Sequence, residues 1–393
     1  MKLWPTKKLG EIATVESGGT PRRSNPTYFR GKIPFVKIED MLKDPITETG
    51  EKITKEGLEN SAAKIWGKGT ILFSIFATLG RVSKLGIDAA ANQAIAGIFN
   101  IKQGVEPKYL KYFLGKIGPV LALRGRGVAQ SNLNLSILKK LEIPLPPLQI
   151  QKQIVERMDK IVEAQRLNDE LIQKADELYR SLLHNELNAK FKNQNAKSQF
   201  KIQKLDEIAE VTSSKRIYQS EYIKNGIPFY RTKEIVELSQ NNSISLELFI
   251  SENRFDEIKE KFGIPKKGDI LISAVGTIGI SWIVPDDRKF YFKDGNLLWI
   301  KNLKGIDSHY LKIVLENFAK NISRMGAGGA YNALTIIKLK KVKILVPLLK
   351  TQKQIVAKLS AAQDYKKELL AQKSLFKELF DSVLYKSMNS EIN

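Results

Sequence analysis

The sequence contains no cysteine and only two histidines, His184 and His309. The first absence removes disulfides, thiolate zinc sites and a cysteine nucleophile. The second leaves too little for a histidine-rich metal site or a Ser-His-Asp triad. No apolar run approaches the roughly 18 residues that span a bilayer. The opening residues, MKLWPTKK, carry no apolar segment of the secretory kind, so a cytoplasmic protein without a membrane anchor is expected. No G-x-x-x-x-G-K-[ST] phosphate loop is present. What remains is a 393-residue chain, 42% hydrophobic, long enough for two or three domains.

Charge is abundant and one-sided. There are 64 Lys and Arg against 42 Asp and Glu, a formal net charge of +22. Residues 1–148 hold +11 and residues 200–349 hold +7, whereas residues 149–199 hold only +1. A uniformly lysine-rich composition would not spare the middle. The two basic blocks are candidate phosphate-facing surfaces.

These blocks are copies. KLGEIA (8–13) recurs as KLDEIA (204–209), and KIPFVKIED (32–40) as GIPFYRTKE (226–234). GTILFSIFATLG (69–80) recurs as GDILISAVGTIG (268–279), with six of twelve positions identical. YLK (109–111) and QKQIV (151–155) recur at 310–312 and 352–356, both offset by 201 residues. Five matches in one order indicate a duplication. Strands are expected at Ile71–Ile75, Ile270–Ile272 and Leu297–Ile300, with local helices at Pro107–Leu114 and Ser308–Phe318. Each block closes on a Pro-bearing stretch, LEIPLPPL (141–148) or VKILVPLL (342–349), where proline excludes a central strand.

A long helix follows each block. Residues 149–190 contain neither Pro nor Gly. Ile154, Ile161, Leu171, Leu178 and Leu182 form its expected stripe; Ile355, Ala362, Leu369, Phe376 and Val383 form that of the second helix. At 1.5 Å per residue each is a rod of roughly 60 Å. Within one chain the second rod must run back along the first, so an antiparallel pair is expected. The polar NQNAKSQ (193–199) reads as a linker. The resulting layout is globular block 1–148, rod 149–192, linker 193–199, globular block 200–349, and rod with tail 350–393.

Several motifs bear on binding. In SGGTPRRSNPTYF (17–29), Gly18 and Gly19 would let backbone approach phosphate, and Arg22 and Arg23 supply charge; an ordinary surface turn is the other reading. The second copy, VTSSKRIY (211–218), keeps a basic pair, Lys215 and Arg216. Lys37 matches Arg231, with Lys233 close by. RGRGVAQSNLN (124–134) matches RMGAGGAYNAL (324–334). Arg pairs with guanine, and Asn or Gln with adenine. These stretches supply Arg124, Arg126, Gln130, Arg324 and Asn332 as candidates. NPTY (25–28) resembles an amino-methyltransferase motif, but Thr27 replaces a proline and the second copy lacks it. A self-contained methyltransferase or nuclease–methylase fusion is therefore the weaker alternative.

Taken together, the duplication, the Pro-Pro-Leu lead-in IPLPPLQIQKQIV (143–155), its second copy VPLLKTQKQIV (346–356) and SGGTPRRSNPTYFRGKIPFVKIEDM (17–41) resemble the specificity (S) subunit of type I restriction–modification systems. The resemblance spans essentially the whole chain. It implies an α+β protein with two similar target recognition domains, separated by two long antiparallel helices in a coiled coil, with pseudo-two-fold repeat symmetry. Each domain would read one half of a bipartite site in double-stranded DNA, with the coil as ruler. Two methyltransferase subunits would carry S-adenosylmethionine, and restriction subunits with ATP and Mg would join them. This chain would hold no cofactor, no metal and no active site.

Overall fold

The computed structural model describes residues 4–76, 78–125, 134–189, 200–325 and 333–388. The expected linker 193–199 lies outside them. The chain divides into two units, Met1–Leu171 with Leu369–Asn393, and Ile172–Glu368.

In the first unit an antiparallel sheet has the order Thr14–Ser17, Ile95–Phe99, Ile71–Ser74, Val82–Lys84. A second sheet has the order Glu51–Ile53, Ile33–Val36, Ala89–Ala91, Ile65–Trp66, with one parallel pairing, Phe35 opposite Ala90. The second unit repeats this plan. Its larger sheet runs Glu210–Thr212, Leu297–Lys301, Ile270–Ser273, Ser281–Ile283. Its smaller sheet runs Phe249–Ile250, Ile227–Tyr230, Tyr291–Phe292, again with one parallel pairing, Phe229 opposite Tyr291. The second copy lacks a partner for Ile65–Trp66 among the described residues.

The internal match 69–80 with 268–279 now has a physical basis. Ile71–Ser74 and Ile270–Ser273 are the fully buried third strands. Each ends in a buried serine whose hydroxyl donates to the carbonyl of Thr78 or Thr277. The same hydroxyl accepts from the N–H of Arg81 at 2.8 Å or Ile280 at 2.9 Å. The turn closes on Gly80 and Gly279, both at positive φ. A Cβ on Gly80 would stand 2.3 Å from the Gly118 backbone.

The rods are single helices, Leu148–His184 and Leu349–Met388. Both start on the same latch. Gln151, 1% exposed, accepts from the N–H of Glu106 at 2.8 Å and donates to the carbonyls of Gly104 at 3.0 Å and Pro146 at 2.8 Å. Gln352, fully buried, accepts from Asp307 N–H at 2.7 Å and donates to Gly305 at 3.1 Å and Pro347 at 2.8 Å. Beside each latch a buried tyrosine hydroxyl, Tyr109 or Tyr310, bonds the carbonyl of Pro144 or Leu345. Each core takes in both rods. Ile154, Met158 and Ile161 join Leu384 and Met388 in the first unit; in the second, Tyr179, Leu182 and Leu183 pack against the cluster that holds Ile355 and Leu359.

Within each unit the rods lie antiparallel. In the first, Gln165 donates to the Phe376 carbonyl at 3.2 Å and Asn168 to the Leu369 carbonyl at 3.0 Å. In the second, Asp176 pairs with Lys366 at 2.6 Å and Glu186 with Lys358 at 3.0 Å. Buried or half-buried seam positions are Gln151, Ile154, Met158, Ile161, Gln165, Asn168, Ile172, Ala175, Tyr179 and Leu182, spaced three and four apart. Ile154, Ile161, Leu182, Ile355, Ala362, Leu369, Phe376 and Val383 are buried or half-buried. Leu171 and Leu178 are not: they are 40% and 50% exposed. The seam passes through Asn168 and Ala175 three residues earlier, so the adjacent leucine row faces outward.

Asn168 is 3% exposed, and its Oδ1 has no partner among the described residues. A buried amide at a seam position fixes register at a cost in stability. Asn168→Leu is expected to raise the unfolding free energy by about 1 kcal/mol, measured by urea denaturation. A loss of 1 kcal/mol or more would show that the amide stabilises the pair. Among the described residues no helix is long and apolar enough to cross a membrane.

Candidate nucleic-acid interface

In the second domain, residues 213–217 leave the strand Glu210–Thr212 along a pinned path. Ser213 Oγ donates to the Leu297 carbonyl at 3.2 Å, and Lys215 N–H to Tyr291 Oη at 2.7 Å. Ser214 and Ile217 are buried. Lys215 and Arg216 are thereby turned outward. The Lys215 ammonium stands 4.3 Å over the Phe262 ring, and Arg216 meets Asp294 at 3.0 Å while 67% exposed.

Arg231 precedes the helix Thr232–Ser239 and is clamped by two carboxylates, Glu234 at 2.6 Å and Glu247 at 2.7 Å. Burial pushes the Glu234 carboxyl up, but hydrogen bonds from the Arg231 guanidinium and N–H outweigh it and hold the group below its ordinary value. Lys233 shares Glu247 at 3.2 Å.

Arg216 and Arg231 come together on one groove of about 690 Å³. Lys293, Asn296, Gln219 and Tyr218 also line it. Cations, amides and an exposed ring on one concave face can meet phosphates, base edges and base planes respectively.

The first domain clusters its cations differently. Arg23 forms a two-pronged bridge to Glu51, at 2.6 and 2.8 Å, with its guanidinium 4.1 Å over Phe29. Lys37 bonds Glu39 at 2.6 Å and lies within the field of Glu51. The Arg23 hydrogen bond holds Glu51 below the ordinary carboxylate range, against burial and with help from Lys37. Arg22 is exposed and makes no ion pair among the described residues.

Gly18 and Gly19 need a different explanation from phosphate approach. Both are buried. A Cβ on Gly18 would sit 2.2 Å from the Ala91 carbonyl oxygen, and one on Gly19 would sit 2.3 Å from Ala62. They are glycine because two stretches of their own domain cross there. Asn25 of the NPTY stretch is likewise occupied: its Oδ1 accepts from Thr27 N–H at 3.2 Å and Thr27 Oγ1 at 2.6 Å, closing a turn.

Arg124 and Arg324 fall at the ends of the helices Pro107–Gly125 and Ser308–Met325, and their side chains lie outside the description. Arg126, Gln130 and Asn332 lie outside the described residues altogether.

The type I restriction modification DNA specificity domain family matches residues 1–177 and 197–375. The chain belongs to this family.

Among curated family members, a Haemophilus influenzae chain named as a type I restriction enzyme specificity subunit is 32% identical over 381 residues, covering 89% of this chain and 85% of that one. The type I restriction enzyme MjaIX specificity subunit of Methanocaldococcus jannaschii is 28% identical over 301 residues, covering 70% and 68%. Solved structures share the fold. One, from work on assembly and conformational transition of the type I R-M system, superposes with a TM-score of 0.69 at 18% identity over 100% of both chains. The HsdS subunit of Thermoanaerobacter tengcongensis gives 0.55 at 19% identity, over 100% of this chain and 99% of that one.

Sequence reasoning missed Lys293, Asn296, Tyr218 and Gln219. Lys293 and Asn296 flank Asp294–Gly295, a pair that signals a turn. No repeat match marked them, because the second copy diverges there.

Proposed function

We propose that this chain selects the DNA site for a type I restriction–modification complex. Each domain reads one half of a split, asymmetric sequence, and the paired rods set the gap. Two methyltransferase subunits carrying S-adenosylmethionine modify adenine, restriction subunits with ATP and Mg join them, and this chain contributes no active site. The observation that carries the reading is the repeated unit itself: two domains of one topology, each latched to its own rod by the same buried glutamine. A scaffold kept constant beside loops that differ fits two readers of unlike half-sites.

Methylome sequencing of the host with and without this gene tests the reading. A split adenine-methylated motif should vanish on deletion; an unchanged methylome would overturn it. Arg216→Ala in the assembled complex tests the groove. A lost base contact should cost about 1–3 kcal/mol and relax one position of the second half-site. A lost phosphate contact should lower the salt slope by about one. Unchanged affinity, slope and motif would remove the groove from the interface.

A further inference from the structure

The second unit holds a cleft of about 510 Å³ on the side of the rods, away from the groove residues in sequence. Its walls are the last turns of the first rod, the helix Ser308–Met325 and the second rod. The offset of 201 residues that relates Gln151 to Gln352 supplies its counterpart in the first unit position by position.

There aromatic side chains join the rod to the domain helix. Tyr112 packs edge-on against Phe380 at 5.9 Å and donates to Asp159 at 2.6 Å. The Lys116 ammonium stands 4.6 Å over the Tyr385 ring, with Asp381 acting on it. In the second unit the positions matching Phe380, Asp381 and Tyr385 are held by Tyr179, Arg180 and His184. Lys116, Pro119 and Val120 become Asn317, Lys320 and Asn321, and Val162 becomes Gln363. Aromatic contacts in the first unit have been exchanged for an open cleft lined by cations and amides.

Among the lining residues Arg180, Lys320 and Lys366 stand against Asp176 alone. Asp176 is committed to Lys366 at 2.6 Å. Glu316 lies close by; Lys312 stands 3.8 Å from it, the Ser281 N–H meets it at 3.3 Å, and it also attracts Lys320. Arg180 and Lys320 are exposed and form no ion pair among the described residues. The volume falls within the range of small-molecule sites, roughly 300–1,000 Å³, and exceeds what a lone phosphate fills.

We propose that this cleft binds a small phosphate-bearing ligand of nucleotide size. Arg180 and Lys320 take the phosphates, and Asn317, Asn321 and Gln363 supply donors and acceptors for the rest. The site lies in the second unit and is independent of the DNA-reading role.

The full chain, without partner subunits, is titrated by calorimetry with ATP, pyrophosphate and adenosine. Saturable ATP binding that exceeds adenosine binding at least tenfold is expected, with pyrophosphate between or equal to ATP. In the variant Arg180→Asp/Lys320→Gln, ATP affinity should fall at least tenfold. The aspartate is what the first unit carries at the matching position, Asp381, and circular dichroism checks that the fold is kept. No saturable ATP or pyrophosphate binding at millimolar ligand overturns the proposal. So does adenosine binding as tightly as ATP, or undiminished ATP binding by the folded variant.

Discussion

Gln352→Leu is expected to lower the unfolding free energy of the second domain by about 3–5 kcal/mol. Leucine removes one acceptor and two donors at once. The Asp307 N–H and the carbonyls of Gly305 and Pro347 then lose a partner at a fully buried position. Each such group costs about 1–3 kcal/mol when left unpaired. Gln151→Leu should act alike in the first domain, since its three bonds are the same. Gln352→Glu separates hydrogen bonding from shape. Its carboxylate would face two carbonyl oxygens, which raises its folded-state pKa above the unfolded value. The penalty is therefore present at neutral pH and recedes as pH falls, because the protonated acid can donate to one carbonyl. Urea denaturation at pH 5 and pH 8 measures this. A glutamate variant equally stable at both would mean that the latch is only a space-filler.

The latch also shows where sequence reading reaches its limit. QKQIV stood out because it repeats, and repetition located it without saying what it does. Its role depends on carbonyls 47 and 5 residues away in the chain, which no local pattern encodes. The rods were legible, since apolar spacing and the lack of Pro and Gly act locally. Their seam was legible only in part. Between Ile161 and Leu182 it runs through Asn168, Ala175 and half-buried Ile172, while Leu171 and Leu178 offer a more apolar but exposed row. A count of leucines chooses the wrong face; packing against the second rod chooses the right one. The candidate interface divides the same way. Arg23, Arg216 and Arg231 could be singled out by charge. Their partners Glu51, Asp294 and Glu247 are 28, 78 and 16 residues away, and only the fold brings them together. The two glycines were visible, but their reason, a crossing of backbone inside the domain, was not.

Lengthening both rods together should move the recognised gap, by an amount that helix and duplex geometry fix. One heptad added to each rod extends the pair by about 10.5 Å. That is about three base pairs at 3.4 Å each. Three base pairs also carry the second half-site about 100° around a duplex of 10–10.5 base pairs per turn. A heptad returns the seam to nearly the same face, with a drift of only ~20°. Length and facing then disagree, and methylation by the assembled complex should fall sharply at every gap. Three heptads per rod extend the pair by about 31 Å, close to the 34–36 Å of one duplex turn. Length and facing agree again, so methylation should return at a gap about nine or ten base pairs longer. Insertion between Asn168 and Asp169, with its match between Glu368 and Leu369, leaves both latches and both domain cores untouched. Methylome sequencing of cells carrying each variant gives the gap directly. A three-heptad variant that still methylates the original motif would mean that the rods hold the domains together without measuring the distance between half-sites.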